Sequence, residues 1–135
     1  MPQLANDYIT ALDDNEWIRD FARKWIFNQD GAGMDEALSD EVTDMEISLR
    51  LAEADTKLAV IVAISLLLQE GRHAPLLAAG MLEDFLVDHG EEYIGVIGEI
   101  ARREPKFHHL LAGVWRNSMT ENVWLKVQAL RGPAW

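Results

Sequence analysis

The chain contains no cysteine. Disulfide staples, thiolate nucleophiles and zinc or iron–sulfur sites built on Cys are therefore excluded. Positive charge is also scarce, with 12 Lys and Arg against 23 Asp and Glu and a net charge of −11. Nucleic acids are bound by concentrated Lys and Arg that displace counterions, so direct binding of DNA or RNA is disfavoured. The opening residues MPQLANDYITALDD lack both the basic patch and the apolar stretch of a secretory signal, and a cytoplasmic location is expected. No G-x-S-x-G, P-loop, G-x-G-x-x-G or H-E-x-x-H pattern occurs, and no calcium-loop pattern. No cofactor and no metal are expected.

What the chain does have is one apolar run, Leu58–Leu68, interrupted only by Ser65. Its β-branched residues Val60, Ile61, Val62 and Ile64 would suit a buried strand. Buried strands, however, span about 4–8 residues, and the element bounded by Asp55 and Gly71 is longer. A helix over 56–70 is expected, with Asp55 as N-cap and Gly71 in a left-handed position beyond its end. At about 1.5 Å per residue it is too short for a hydrocarbon core of about 30 Å. A helix apolar on every side that does not span a membrane must be buried.

Helical periodicity recurs along the rest of the chain. Leu4, Tyr8, Ile9 and Leu12 mark a helix over 2–12. Trp17, Phe21 and Trp25 lie at i, i+4 and i+8 of a second over 15–28, capped by Asp14. Asn28–Gly33 is read as a loop. Val42, Met45, Leu49 and Ala52 are the buried stripe of a helix over about 41–54, capped by Ser39 or Asp40. Pro75 opens a helix that kinks at Gly80 and stops at Gly90. Glu91 and Glu92 start the next, over 91–104, in which Gly95 and Gly98 suggest a close helix crossing. Lys106–Trp115 follows, and Ser118 with Glu121 fits a capping box for a last helix over about 119–131. The expected fold is all-α, a compact array of about seven antiparallel helices around the buried helix, forming one domain over 1–135.

Asp35, Glu36, Asp40, Glu41, Asp44 and Glu46 place six carboxylates in twelve residues with no base among them. Residues 1–57 carry 14 acids against 5 bases, whereas residues 101–135 carry 2 acids against 6 bases. The acidic half attracts basic surfaces. His108 and His109 point about 100° apart on a helix and cannot share a ligand face. His89 is placed to complement a helix C-terminus. A catalytic site would have to be assembled across helices, and Glu83, Glu92 and His89 are the residues for it.

Leu77-Ala78-Ala79-Gly80, Leu82-Glu83-Asp84-Phe85-Leu86, His89-Gly90-Glu91-Glu92 with Ile94, and Ala101-Arg102-Arg103 with Pro105 and Phe107 form a distinctive series. It continues through Gly113-Val114-Trp115 with Asn117, Val123-Trp124 and Val127-Gln128-Ala129-Leu130. Over Trp17 to Leu130 the chain resembles an uncharacterised family of small bacterial helical domains. Where that pattern tends to have proline after the glycine, this chain has Met81. The resemblance implies an all-helical fold and a bacterial origin, and brings no established activity.

The function expected from these features is a non-enzymatic module that binds a protein with a basic surface through Asp35, Glu36, Asp40, Glu41, Asp44 and Glu46. An immunity protein against a nuclease toxin, or a phage inhibitor of a defence complex, fits that physics, because carboxylates can occupy a groove made for phosphates. The alternative is an assembly adaptor, as a homodimer, that binds through apolar helix surface and its tryptophans.

Overall fold

Leu58 to Ser65 are all buried in α4 (Ala54–Leu67), and none of the eight has a face left for solvent. Ser65 is tolerated there because its hydroxyl donates to the Val62 carbonyl at 2.7 Å, within the helix itself. In this computed structural model residues 2–69 and 71–133 are described. The remaining helices are α1 (Ala5–Asp14), α2 (Glu16–Asp30), α3 (Glu36–Arg50), α5 (Ala74–Leu77), α6 (Glu83–Arg103), α7 (Pro105–Leu111) and α8 (Glu121–Leu130). A π-helical turn, Ala78–Leu82, joins α5 to α6. Among the described residues there is no strand, and no helix is long and apolar enough to cross a membrane.

Burial of α4 comes from several directions. α1 and α2 pack along it most extensively, α6 and α7 close other sides, and α3 touches it along an edge. Phe21, Ala22 and Trp25 of α2 and Tyr8 of α1 supply the facing surfaces. The predicted aromatic stripe therefore is core, except that Trp17 remains 38 % exposed at its outer end. Leu4, expected on the apolar side of the first helix, lies outside it as the N-cap residue and is exposed; Ala5 and Ala11 join Tyr8 on the buried side instead.

Several boundaries depart from expectation for local reasons. Asn15 rather than Asp14 caps α2, accepting from the Ile18 amide at 3.0 Å. Asp35 rather than Ser39 or Asp40 caps α3, accepting from the Leu38 amide at 3.1 Å, so this helix starts five residues early. Ser39 is inside it and donates to Asn28 at 2.8 Å. Thr120 caps α8, accepting from the Val123 amide at 3.2 Å, whereas the Ser118 hydroxyl donates to its neighbour Asn117. α7 stops at Leu111, leaving Trp115 in a loop and 69 % exposed. The central helix runs over Ala54–Leu67 rather than 56–70, turning extended at Leu68; Glu70 itself and Trp135 lie outside the described residues.

Asp55 and Gly90 are the two instructive departures. Asp55 sits inside the first turn of α4, with Glu53 at the N-cap. Its Oδ1 accepts hydrogen bonds from the Tyr8 hydroxyl at 2.5 Å and the Tyr93 hydroxyl at 3.0 Å, which ties α1 and α6 to α4. Gly90 does not end a helix, because α6 runs unbroken from Glu83 to Arg103. A Cβ on Gly90 would stand 2.7 Å from a Val123 methyl, so glycine there admits α8. Gly98 serves the same crossing with a looser fit, 3.2 Å from Leu130, whereas a Cβ on Gly95 would meet nothing within 4 Å. Glu91, expected to open a helix, is mid-helix and accepts from Thr120 at 2.6 Å and Asn122 at 2.9 Å, fastening the start of α8.

Candidate functional site

α3 presents four different flanks because its residues advance about 100° each. Val42 and Leu49 point inward and are buried. Glu41 turns toward α2 and pairs with Lys24, which also holds Asp20 at 2.9 Å. Those two bonds, Glu41 first, raise the Lys24 pKa. Glu46 and Arg50 turn the other way, toward α6. Glu36, Asp40, Asp44, Ile47 and Leu51 follow the i, i+4, i+8, i+11, i+15 stripe, which faces solvent.

The six acids singled out from the sequence are thus split by the fold. Asp35 is a helix cap. Glu41 is neutralised within the molecule. Glu46 is half-buried, and burial lifts its carboxyl above the usual carboxylate range against the opposing pull of Arg50. Glu36, Asp40 and Asp44 remain exposed, and among the described residues none of them is in an ion pair. Ile47 is 48 % and Leu51 86 % exposed on the same stripe. Acids on the first half and apolar side chains on the second make a surface with both steering charge and anchoring area. The apolar half was missed in the sequence because Ile47 and Leu51 lie off the buried period; that same offset, taken with the acids, was the signal for it.

Beside this stripe is a cleft of about 520 Å³. Its walls are α3, with Glu46 and Arg50, and the π turn and α6, with Gly80, Asp84, Asp88 and His89. Its floor comes from α2 and α4, where Trp25 and Ile61 lie beside Lys57. His89 sits between two aromatic neighbours, tilted against Phe85 at 5.2 Å and edge-on to Tyr93 at 6.1 Å by ring centroid, and does not cap a helix end.

The proposed inter-helix acid/base set is not assembled. Glu83 is buried away from the cleft, accepting the Trp115 amide at 3.2 Å; Glu92 is exposed; only His89 lines the cleft. Among the described residues no group of three or more His, Asp or Glu is placed to hold a metal ion. A second ionic knot lies at the far end of α2, where Asp30 accepts from His73 Nε2 at 2.7 Å and pairs with Arg72 at 3.1 Å. The His73 bond is the main cause of a lowered Asp30 pKa. It pins the turn in which His73 has φ +63°.

No curated protein and no solved structure matches the chain. Residues 30–134 match a family of unknown function, DUF6869, and the chain belongs to that family.

Proposed function

We propose, taking that family membership as the premise, that the protein is a non-enzymatic, cytoplasmic binding module that engages a basic surface of another protein through the outer face of α3. An inhibitor or immunity-type partner of a nucleic-acid-handling protein is the role that suits it best. The observation that carries this reading is the stripe Glu36, Asp40, Asp44, Ile47, Leu51, in which three exposed carboxylates, in no ion pair among the described residues, continue into two exposed apolar side chains. Carboxylates one helical turn apart stand about 6 Å apart at their Cβ atoms. A row of this kind complements a groove lined by Lys and Arg, and its charge speeds encounter at low salt.

The test is capture from a lysate of the native host, with the wild type beside Glu36→Lys/Asp40→Lys/Asp44→Lys. A basic partner retained at low salt by the wild type and lost by the triple variant is expected. Glu41→Gln, which disturbs only the Lys24 pair, should retain it. Equal capture by wild type and triple variant refutes the reading. The alternative is an adaptor or homodimer held by apolar surface, and the 86 % exposure of Leu51 and 69 % exposure of Trp115 favour it. A salt-insensitive dimer in light scattering, dispersed by Leu51→Asp, would select that alternative.

A further inference from the structure

The cleft between α3 and α6 takes no part in the outer-face reading, and its chemistry differs from that face. We infer that it is a binding site for a small amphoteric molecule, one carrying an amine and a carboxylate on an apolar body, as an amino acid or a short peptide does. Its volume of about 520 Å³ lies within the range of about 300–1,000 Å³ common for small-molecule sites.

Charge of both signs lines the cleft, with Arg50 acting on Glu46 from one helical turn away. Glu46, Asp84 and Asp88 supply carboxylates, and Arg50 and Lys57 supply cations, yet among the described residues none of the five is drawn into an ion pair. Charges held apart across a shared space are complementary to a ligand that brings one of each sign. Asp84 and Asp88 lie at i and i+4, where like charges repel on a helix surface, so a cation between them is favoured. Glu46 faces them from α3; burial raises its pKa against the pull of Arg50, and among the described residues its carboxylate accepts no hydrogen bond. A ligand amine would supply the hydrogen bond that Arg50 does not. Lys57 and Arg50 are the groups for a ligand carboxylate. Leu76, 51 % exposed, and the half-buried Met81 offer apolar surface beside them, over a floor closed by Trp25, Ile61 and Phe85.

The backbone is unusual at the same place. The π turn Ala78–Leu82 contributes Gly80 and Met81 to the wall. Such turns are rare and are frequent at functional sites. Gly80 has no positive φ, and a Cβ on it would meet nothing within 4 Å, so neither strain nor packing calls for glycine there. What its missing side chain leaves open is the cleft.

The experiment is a titration of the ¹⁵N-labelled full chain, followed by amide shifts. The probes are L-phenylalanine, L-leucine and the dipeptide leucyl-phenylalanine, each beside its N-acetyl and its amidated derivative. Expected is saturable movement of the Lys57, Gly80 and Asp88 amides with at least one unmodified probe. Its acetylated and amidated forms should bind about tenfold more weakly, the loss of roughly one charge-assisted contact. Glu46→Gln and Lys57→Met should each weaken the unmodified probe by a similar factor while leaving the rest of the spectrum in place. No saturable shift at the cleft with any probe would overturn the proposal. Equal binding of free, acetylated and amidated forms would also overturn it, because the charges would then not be read. Asp40→Lys/Asp44→Lys should leave these titrations unchanged, which separates failure of the cleft from failure of the outer-face reading.

Discussion

Replacing Gly90 by alanine tests how α8 is docked. In a free helix the change stabilises by about 1 kcal/mol, since glycine is the poorer helix former. Here the new Cβ would lie 2.7 Å from one Val123 methyl and 3.1 Å from the other. Val123 is 1 % exposed and β-branched on a helix, so it has essentially one rotamer and no space to turn into. Overpacking of this kind costs about 1–3 kcal/mol, and a 2.7 Å approach belongs near the upper end. The net expectation is destabilisation by about 1–2 kcal/mol, read as a shift of the urea midpoint in far-UV circular dichroism at constant slope. Gly95→Ala, which meets nothing within 4 Å, should instead stabilise by about 0.5–1 kcal/mol. Gly98→Ala should fall between them, because the Leu130 tip 3.2 Å away is flexible. Combining Gly90→Ala with Val123→Ala removes the clash, so the double variant should be less destabilised than the sum of the singles by about 1 kcal/mol or more. A Gly90→Ala protein as stable as Gly95→Ala would refute the described crossing of α6 and α8.

Asp55→Ala should cost about 2–4 kcal/mol in denaturant unfolding, because it removes a charged acceptor and leaves two tyrosine hydroxyls unpaired; Tyr93→Phe should cost about 1 kcal/mol. Burial first, and Asp55 second, lift Tyr8 well above the ordinary phenol range and Tyr93 to about 12. The folded state therefore holds these protons longer than the unfolded chain. The stability they support is fully present below pH 10 and is lost as pH rises toward 12, a fall that a melting series across that window should show and that Tyr8→Phe/Tyr93→Phe should flatten. Glu46→Gln should not destabilise the protein at neutral pH, since burial raises that carboxyl and its ionisation opposes folding. Trp115→Ala should change stability by less than about 0.5 kcal/mol, whereas Phe107→Ala, fully buried in α7, should cost about 3–5 kcal/mol in the same assay.

The central helix was legible because α4 is defined by composition: an apolar run broken only by Ser65 and too short to span a bilayer must be buried, and its length excluded a strand. The stripe of α2 was legible for the related reason that its period is local. What was not legible depended on residues far apart in the chain. Asp55 has the chemistry of a cap, and only the arrival of Tyr8 and Tyr93 explains why it lies inside the first turn instead, two residues past the N-cap Glu53. Gly90 has the chemistry of a helix stop, and only Val123, 33 positions later, explains why α6 continues through it. The acids of α3 were found as a cluster, but their division into a cap, a pair with Lys24, a cleft wall and an exposed row follows from the angle each occupies once α2 and α6 are in place. Trp115 was read into a helix because its spacing fits one, while α7 in fact ends four residues earlier at Leu111.

The affinity of the captured partner, measured by titration calorimetry at several salt concentrations for the wild type and for Asp40→Asn/Asp44→Asn, tests the role of α3 most directly. Wild-type affinity should fall steeply with salt, and the neutralised variant should bind at least about tenfold more weakly with a shallower dependence. An unchanged affinity and an unchanged salt slope in that variant would contradict that role.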